Sequence, residues 1–318
     1  MASVFAGIDV GDETVDVACR GGGFKAKVAR NASSLQEMAA QLKKSGVERV
    51  VLEASGGYEQ LVLEAVYAQG LPIVMVQPAR ARHFAKSVGQ LAKTDPIDAE
   101  MLAWMAAVAV EKTPVWQPRT PALEELRALV QRREQLVSQR DAERKRLRSA
   151  RNEFVAEDLR SSIRELGERI GRLEAQLNAV TAKSEELAPK VETLKSVKGV
   201  GTITAVTLLS QIPELGRLPR NKISALVGVA PITRESGKWK GYSYTWAGRA
   251  GPRKSLYMAA LVAIRHNEHL SKFYKRLVEG GKHKKVALVA VMRKLLIHLN
   301  SLARDFVNPP TPAAKKSS

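Results

Sequence analysis

Cysteine is almost absent from this chain of 318 residues, which holds one, Cys19. A disulfide framework within the chain is therefore impossible, and a zinc ribbon is excluded. Met1 to Gly11 lacks a basic segment ahead of its short apolar run, which argues against a secretory signal. Read as a sequence, no apolar stretch approaches membrane-spanning length. The expectation is a cytoplasmic, reduced protein with no membrane partner. Also missing is the β-α-β opening with a glycine-rich turn, which sets the chain apart from dinucleotide-binding folds.

Positive charge is in excess. Lys and Arg number 51 against 32 Asp and Glu, giving a formal net charge of +19 and a sequence pI of about 10.1. Such an excess forces basic surfaces onto a small protein, and these attract polyanions, nucleic acid above all. A basic structural protein of the ribosomal type would carry the same charge, so charge alone does not separate enzyme from scaffold. The apolar fraction of 45% is ordinary for a globular chain. The length suits two modest domains plus connecting structure.

The first segment reads as α/β. Val4 to Val10 is a short apolar run ending at an acid. Val15, Val17 and Cys19 alternate after a Gly11-Asp12-Glu13 turn, and Gly21-Gly22-Gly23 turns the chain into Phe24 to Ala29. This predicts a three-strand meander. Ser34 and Glu37 form a capping-box pattern before a helix reaching Lys44. Arg49 to Ala54 and Pro72 to Val76 read as strands, with a helix over 59–69 between them and helices over 79–88 and 96–110 after them. The order fits a ribonuclease-H-like mixed sheet flanked by helices.

Thr113 to Pro121 holds three prolines and reads as a linker. Leu159, Ile163, Leu166, Ile170, Leu173, Leu177 and Val180 then repeat with 4-3 spacing, a coiled-coil seam. Leu123, Leu126, Val130 and Val137 suggest an earlier helix with a similar seam. Between them, Arg140, Arg144, Lys145, Arg146, Arg148 and Arg151 form either a solvated face or one that tracks phosphates. The expected organisation is an N-terminal domain over 1–115, a coiled-coil connector over 116–190, a mainly helical C-terminal domain over 191–307 and a disordered tail over 308–318.

Four acids stand out by position. Asp9 ends the first predicted strand, and Glu53 ends a later one. Asp95 and Asp98 lie in Lys-Thr-Asp-Pro-Ile-Asp-Ala, where Pro96 suits the first helical position and makes Asp95 the N-cap. Gathered carboxylates repel unless a cation neutralises them, and Mg²⁺ fits as a hard, oxygen-seeking ion. A two-metal site would clamp the attacking and leaving oxygens of a phosphate. Singly, Asp95 reads as a helix cap and Glu53 as an exposed strand end; it is the set, in this order, that favours a metal site.

Farther on, Lys198-Gly199-Val200-Gly201 opens a helix with free backbone N–H groups suited to phosphate. The pattern fits a helix-hairpin-helix grip on DNA, and equally a tight helix–helix turn. Ser236 sits beside a glycine among Arg234, Lys238 and Lys240, with Arg249, Arg253 and Lys254 beyond. A serine needs such assistance to act as a nucleophile, although Ser-Gly in a basic turn is common. Tyr242, Tyr244 and Trp246 alternate, and core packing is the favoured fate of such a stripe over base stacking.

Taken together the chain resembles the DEDD transposases of bacterial insertion sequences, the insertion-sequence one-ten family, with the related Piv-type DNA invertases. The carrying motifs are Gly7-Ile8-Asp9-Val10, Glu53-Ala54-Ser55-Gly56-Gly57-Tyr58, Lys93-Thr94-Asp95-Pro96-Ile97-Asp98-Ala99, Gly199-Val200-Gly201, Gly228-Val229-Ala230-Pro231, Glu235-Ser236-Gly237 and Arg253-Lys254-Ser255-Leu256-Tyr257. One departure is Gly11-Asp12, where many relatives carry a small residue and Lys.

The resemblance implies a RuvC-like domain with Asp9, Glu53, Asp95 and Asp98 as its metal site, and Ser236 as a nucleophile in the C-terminal domain. It implies donor and target DNA as substrates, a bridge RNA encoded by the element as guide, and a homo-oligomer, dimer to tetramer, that draws one active site from different protomers. Arg144, Arg148, Lys198, Gly199, Gly201, Arg234, Lys238, Lys240, Arg249 and Arg253 are the candidate nucleic-acid contacts. Two other readings stay open: a RuvC-like junction nuclease using metal-activated water, and a basic nucleic-acid scaffold whose acids are incidental.

Overall fold

The computed structural model describes residues 3–90, 92, 94–110, 113–233, 235, 236, 239, 240, 244, 245 and 248–307; of 235, 236, 239 and 240 it describes the backbone alone. The chain forms two compact units, Met1–Pro118 and Arg119–Ser318.

The first unit is a five-stranded mixed sheet between helices. Its strands are β1 (Val4–Val10), β2 (Thr14–Arg20), β3 (Lys25–Ala29), β4 (Val47–Glu53) and β5 (Ile73–Val76), in the order β3-β2-β1-β4-β5. The β1–β2 and β2–β3 pairs are antiparallel, and β4 is parallel to both β1 and β5. Helices α1 (Ala32–Lys44), α2 (Gln60–Ala68), α3 (Pro78–Ser87) and α4 (Asp95–Val108) complete the unit. Val50 and Leu52 join one core with Leu35, Leu42, Val62 and Val66, whereas Val51, Val74 and Val76 join a second with Leu102 and Met105. Burial on both faces explains why β4 and β5 read as near-continuous apolar runs.

Two helix caps differ from the sequence expectation. The cap of α1 is Asn31, whose Oδ1 accepts from the Ser34 N–H at 3.0 Å. Ser34 therefore lies inside the helix, because Leu35, Met38, Ala39 and Leu42 must share its buried face. Likewise the cap of α4 is Thr94, so Asp95 is the first helical residue, and it is exposed. The prolyl stretch is also less linker-like than it reads. Trp116 is buried in the first core, donates its N–H to the Ile73 carbonyl at 2.7 Å, and meets Tyr67 edge to face.

In the second unit, α5 (Pro121–Ser149) and α6 (Glu153–Lys183) form an antiparallel hairpin. Beyond it come α7 (Leu187–Lys195), α8 (Thr202–Gln211) and α9 (Arg220–Val227), then the short strands β6 (Glu235–Ser236) and β7 (Trp239–Lys240). The unit ends with α10 (Ala250–His266), α11 (Glu268–Glu279), α12 (Lys284–Leu302) and α13 (Arg304–Val307). Leu126, Val130, Leu177 and Val180 share one core with α7 to α12. The hairpin base and the C-terminal helices are thus one body.

The heptad seam of α6 is filled from within the chain. Leu166 and Ile170 pack with Leu136 of α5, flanked by Val137 and Leu173, and Arg133 pairs with Glu174 at 2.6 Å. The expected tail, 308–318, lies outside the described residues.

One segment departs from the expectation about apolar runs. Lys284–Val307 is long and apolar enough to cross a membrane, with a mean hydropathy of 1.5, though half of it is buried in the protein. Leu288, Val291, Met292, Leu295, Leu296 and Leu299 belong to the core of the second unit. Buried Asn300 accepts from the Gly216 N–H at 2.9 Å and donates to the Leu218 carbonyl at 3.0 Å. A polar side chain so satisfied by a neighbouring loop marks the core helix of a globular unit.

Because the seam is satisfied in-chain, Leu166→Glu should bury an unpaired charge in the hairpin, at a cost of several kcal/mol. The expected outcome is a lower Tm and reduced helical circular dichroism, independent of protein concentration. A variant that dissociates to smaller species with its helix content intact would assign the seam to a partner chain.

Candidate active site

Asp9, Glu53 and Asp98 lie toward one end of the sheet, where the parallel strands present their carboxyl ends. Ile8 and Val10 of β1, and Leu52 of β4, lie in the core beneath α1 and α2. Side chains alternate along a strand, so Asp9 and Glu53 face the opposite side, where α4 lies on β1 and β4. Ile8 pairs with Leu52, which sets Asp9 and Glu53 level on neighbouring strands. Glu53 and Asp98 line one cavity of about 360 Å³, together with Arg82, Phe84 and Met105. Three of the four expected acids thus converge on one face and one end of the sheet. Asp95 stays exposed at the start of α4.

Two residues at this site were not read from the sequence. Arg82 of α3 brings a cation of the protein's own into the acid cavity. Asp16 stands opposite Asp9 in the β1–β2 register, is 7% exposed, and pairs with Lys27 at 3.3 Å. Opposed positions share a face, so Asp16 adds a carboxylate beside Asp9. Among the described residues, no group of three or more His, Cys, Asp or Glu lies close enough to hold a metal unaided.

A third residue missed by the sequence is Glu59, buried at 5% exposure. Its Oε2 accepts from Ser55 N at 3.1 Å, Ser55 Oγ at 3.2 Å and Gly57 N at 2.8 Å. The carboxylate therefore staples the loop that leaves β4 directly after Glu53. Gly56 and Gly57 adopt φ of 76° and 119° there, values that an L side chain resists. Burial by itself raises the Glu59 carboxyl, but the hydrogen bonds outweigh it and hold the group below its ordinary value of 4.5. A depressed folded-state pKa stabilises above the unfolded value. The staple is thus fully present at neutral pH, weakens as pH drops below about 4.5, and is lost as pH falls through the folded value.

Ser236 is the last residue of β6, directly opposite Trp239 of β7. Ile232 and Tyr244 pair below them through two backbone hydrogen bonds of 2.8 and 3.1 Å. The serine thus sits near the end of a β-hairpin arm. Tyr244 is 38% exposed on it, which corrects its expected place in a core; Tyr242 and Trp246 lie outside the described residues. The arm is rooted at the end of α9, where Gly228 adopts φ 75°. A Cβ at Gly248 would overlap the backbone of Val227 and Gly228, so the returning chain passes there in direct backbone contact.

Arg249 completes that root. Its guanidinium bonds Glu214 through both Nη atoms, at 2.6 and 2.7 Å, and the Gln211 carbonyl at 2.9 Å. The structure therefore commits Arg249, expected on a phosphate-binding surface, to holding the arm. Arg253 reaches the Val227 carbonyl at 3.5 Å beside it. Gly199 also has a packing duty. Its φ is 105°, and a Cβ there would overlap Ala263 of α10. Gly201 is the open N-cap of α8, and Lys198 is exposed next to it. Near the hairpin tip, Arg144 and Arg148 are exposed, Arg144 lying 3.7 Å from Asp141. Arg234 and Lys238 lie outside the described residues, and Lys240 is described by its β7 backbone alone.

Comparisons with known proteins match these elements. A family model described as a transposase, of the DEDD type of IS110 elements, covers residues 6–154 and so all four acids. A second, described as the transposase IS116/IS110/IS902 family, covers residues 191–275 and so Ser236 and the root of its arm. A pilin gene-inverting protein from Moraxella lacunata is 30% identical over 251 residues, covering 78% of this chain and 77% of that protein. One from Moraxella bovis gives the same figures.

Arg249→Lys keeps the charge but loses the two-pronged bond to Glu214. It should cost about 1.5–3 kcal/mol, lowering Tm by about 2–4 °C per kcal/mol, and should reduce recombination by loosening the arm. Unchanged melting and activity would show that the pair does not hold the arm.

Proposed function

We propose, for this chain that belongs to the IS110 family of transposases, a serine-linked strand exchange on DNA supported by Mg²⁺ at the acid cluster. The observation that carries the reading is the convergence of Asp9, Glu53 and Asp98 at one sheet end, in a chain whose other matched segment carries Ser236 on an anchored arm. The strand order, three antiparallel then two parallel, supports a RuvC-like reading of the first unit.

The residues fit Mg²⁺. Their donors are all carboxylate oxygens, hard ligands for a hard ion. Mg²⁺ commonly takes one or two protein carboxylates and completes its shell with water and phosphate oxygens; Glu53 and Asp98 on a shared cavity meet that need without a closed protein cage. When bound, the ion would supply charge neutralisation and alignment for a phosphate. Arg82 adds a second positive group for the same phosphate.

Ser236 then acts as nucleophile. Its Oγ forms a bond to phosphorus while the bond from phosphorus to a DNA hydroxyl oxygen breaks. The serine proton leaves to solvent, and the departing DNA oxygen takes a proton. In the return step a hydroxyl from another strand attacks the phosphoserine, rebuilding a phosphodiester and freeing Ser236. The number of phosphoester bonds is conserved, so no external energy source is needed. A bridge RNA as guide, an assembly of dimer to tetramer that brings acids and serine together from different protomers, and a cytoplasmic setting complete the proposal. The +19 charge supports the nucleic-acid partners.

Ser236→Ala should bind DNA, form no covalent adduct on denaturing gels, and lose recombinant product by at least about a thousandfold. Asp9→Asn should lose product as well without a lower Tm, since it removes a ligand and relieves repulsion. Recombinant product from the alanine variant would end the serine mechanism and put metal-activated water in its place.

Sequencing RNA that co-purifies with the protein should return one structured species from its own locus. A random mixture of cellular RNA would reduce RNA binding to polyanion attraction and remove the guide.

A further inference from the structure

Tyr58 is held in place by both chain segments that leave the acid-bearing strand ends. It lies 46% exposed in the loop after Glu53, whose backbone is stapled by buried Glu59. The Arg30 guanidinium sits over its ring, 4.7 Å from the centroid. Arg30 is in turn fixed on the turn after Asp9. Its Nε donates to the Asp12 carbonyl at 2.6 Å, and an Nη lies 3.5 Å from the Asp12 carboxylate. Its own N–H bonds the Glu13 carbonyl at 2.9 Å. Asp12 thus holds the brace of this ring, chiefly through its backbone carbonyl.

The expense of this construction is what calls for a function. A buried carboxylate, two glycines at positive φ and a cation–π brace together hold a large aromatic ring partly in water. Core packing does not require it. From Asp9 to Asp12 the chain spans at most about 11 Å, and from Glu53 to Tyr58 at most about 18 Å. The ring therefore stands within a few nucleotides' length of the acids, at about 3.4 Å per stacked nucleotide.

We propose that Tyr58 is a base-stacking platform that seats an unpaired base of the DNA strand next to the phosphate under attack. Stacking on an aromatic face accepts every base, so the platform would set the position of the strand without reading its sequence. Arg30 holds the ring from behind and lends positive potential to the adjoining phosphate. This rests on the DNA-recombinase reading above.

The test uses the full-length protein and a single-stranded DNA of thymine carrying one 5-iodouracil, which on irradiation links to an aromatic ring stacked on it. The link should map to Tyr58 in the wild type and persist within about twofold in Tyr58→Phe. In Tyr58→Ala it should vanish, with DNA affinity about tenfold weaker, equal to about 1.4 kcal/mol. Links mapping elsewhere, or an alanine variant that binds as wild type, overturn the proposal. So does a link formed with the matching RNA strand but not with DNA, which would give the ring to a guide. Ser236→Ala protein should give the same Tyr58 link, because stacking precedes chemistry. The platform thus stands or falls apart from the serine mechanism.

Discussion

The close approach of α4 to β1 at Gly7 is the constraint on which the first unit depends. A Cβ at Gly7 would overlap the backbone of Ala99 and Ala103. The helix therefore rests on the central strand with no side chain between them, and Leu102 and Met105 can reach Val51 and Val74. The same contact sets Asp98, one residue before Ala99, against the strand end that carries Asp9. Any larger residue at position 7 would lift α4, and with it one wall of the acid cavity. The glycine of the Gly7-Ile8-Asp9-Val10 motif thus serves the site through packing.

Strand ends alone would leave the site unfinished. The loops that leave β1 and β4 are each held by a charged side chain: Arg30 bonds the Asp12 carbonyl, and Glu59 fixes the turn through Ser55 and Gly57. Carboxylates accepting several N–H groups at once are rigid supports, and rigid loops suit the proposed role of aligning a phosphate. The acid cavity also contains Arg82, so its field is mixed, with a fixed cation where an anionic backbone would enter.

The second unit follows a different logic. Its long hairpin satisfies its own seam and joins the helical core through Leu126, Val130, Leu177 and Val180. The arm that carries Ser236 is held at its root by Gly228, Gly248 and the Arg249–Glu214 pair. A serine on an arm with its own anchored root suits the proposed chemistry, whose other half is carried on another element or another chain.

Local pattern was legible in the sequence wherever burial on a face demanded it. The β-branched runs, the alternation of Val15 and Val17, the heptad of α6 and the position of Glu53 at a strand end all follow from period and from which residues water rejects, whereas β1 runs one residue past Asp9. The order of elements in the first unit followed as well, since each segment announces its own type. Tertiary structure alone decided what each pattern packs against. The α6 seam has the same spacing whether its partner is another chain or α5. Arg249 has the same composition whether it meets phosphate or Glu214, and Asn31 and Ser34 are equally good caps until the buried face of α1 chooses between them. Glu59, Asp16 and Arg82 look like ordinary surface charges in a basic chain. Their roles arise from partners distant in sequence or from the fold of a turn, and no spacing rule carries that information.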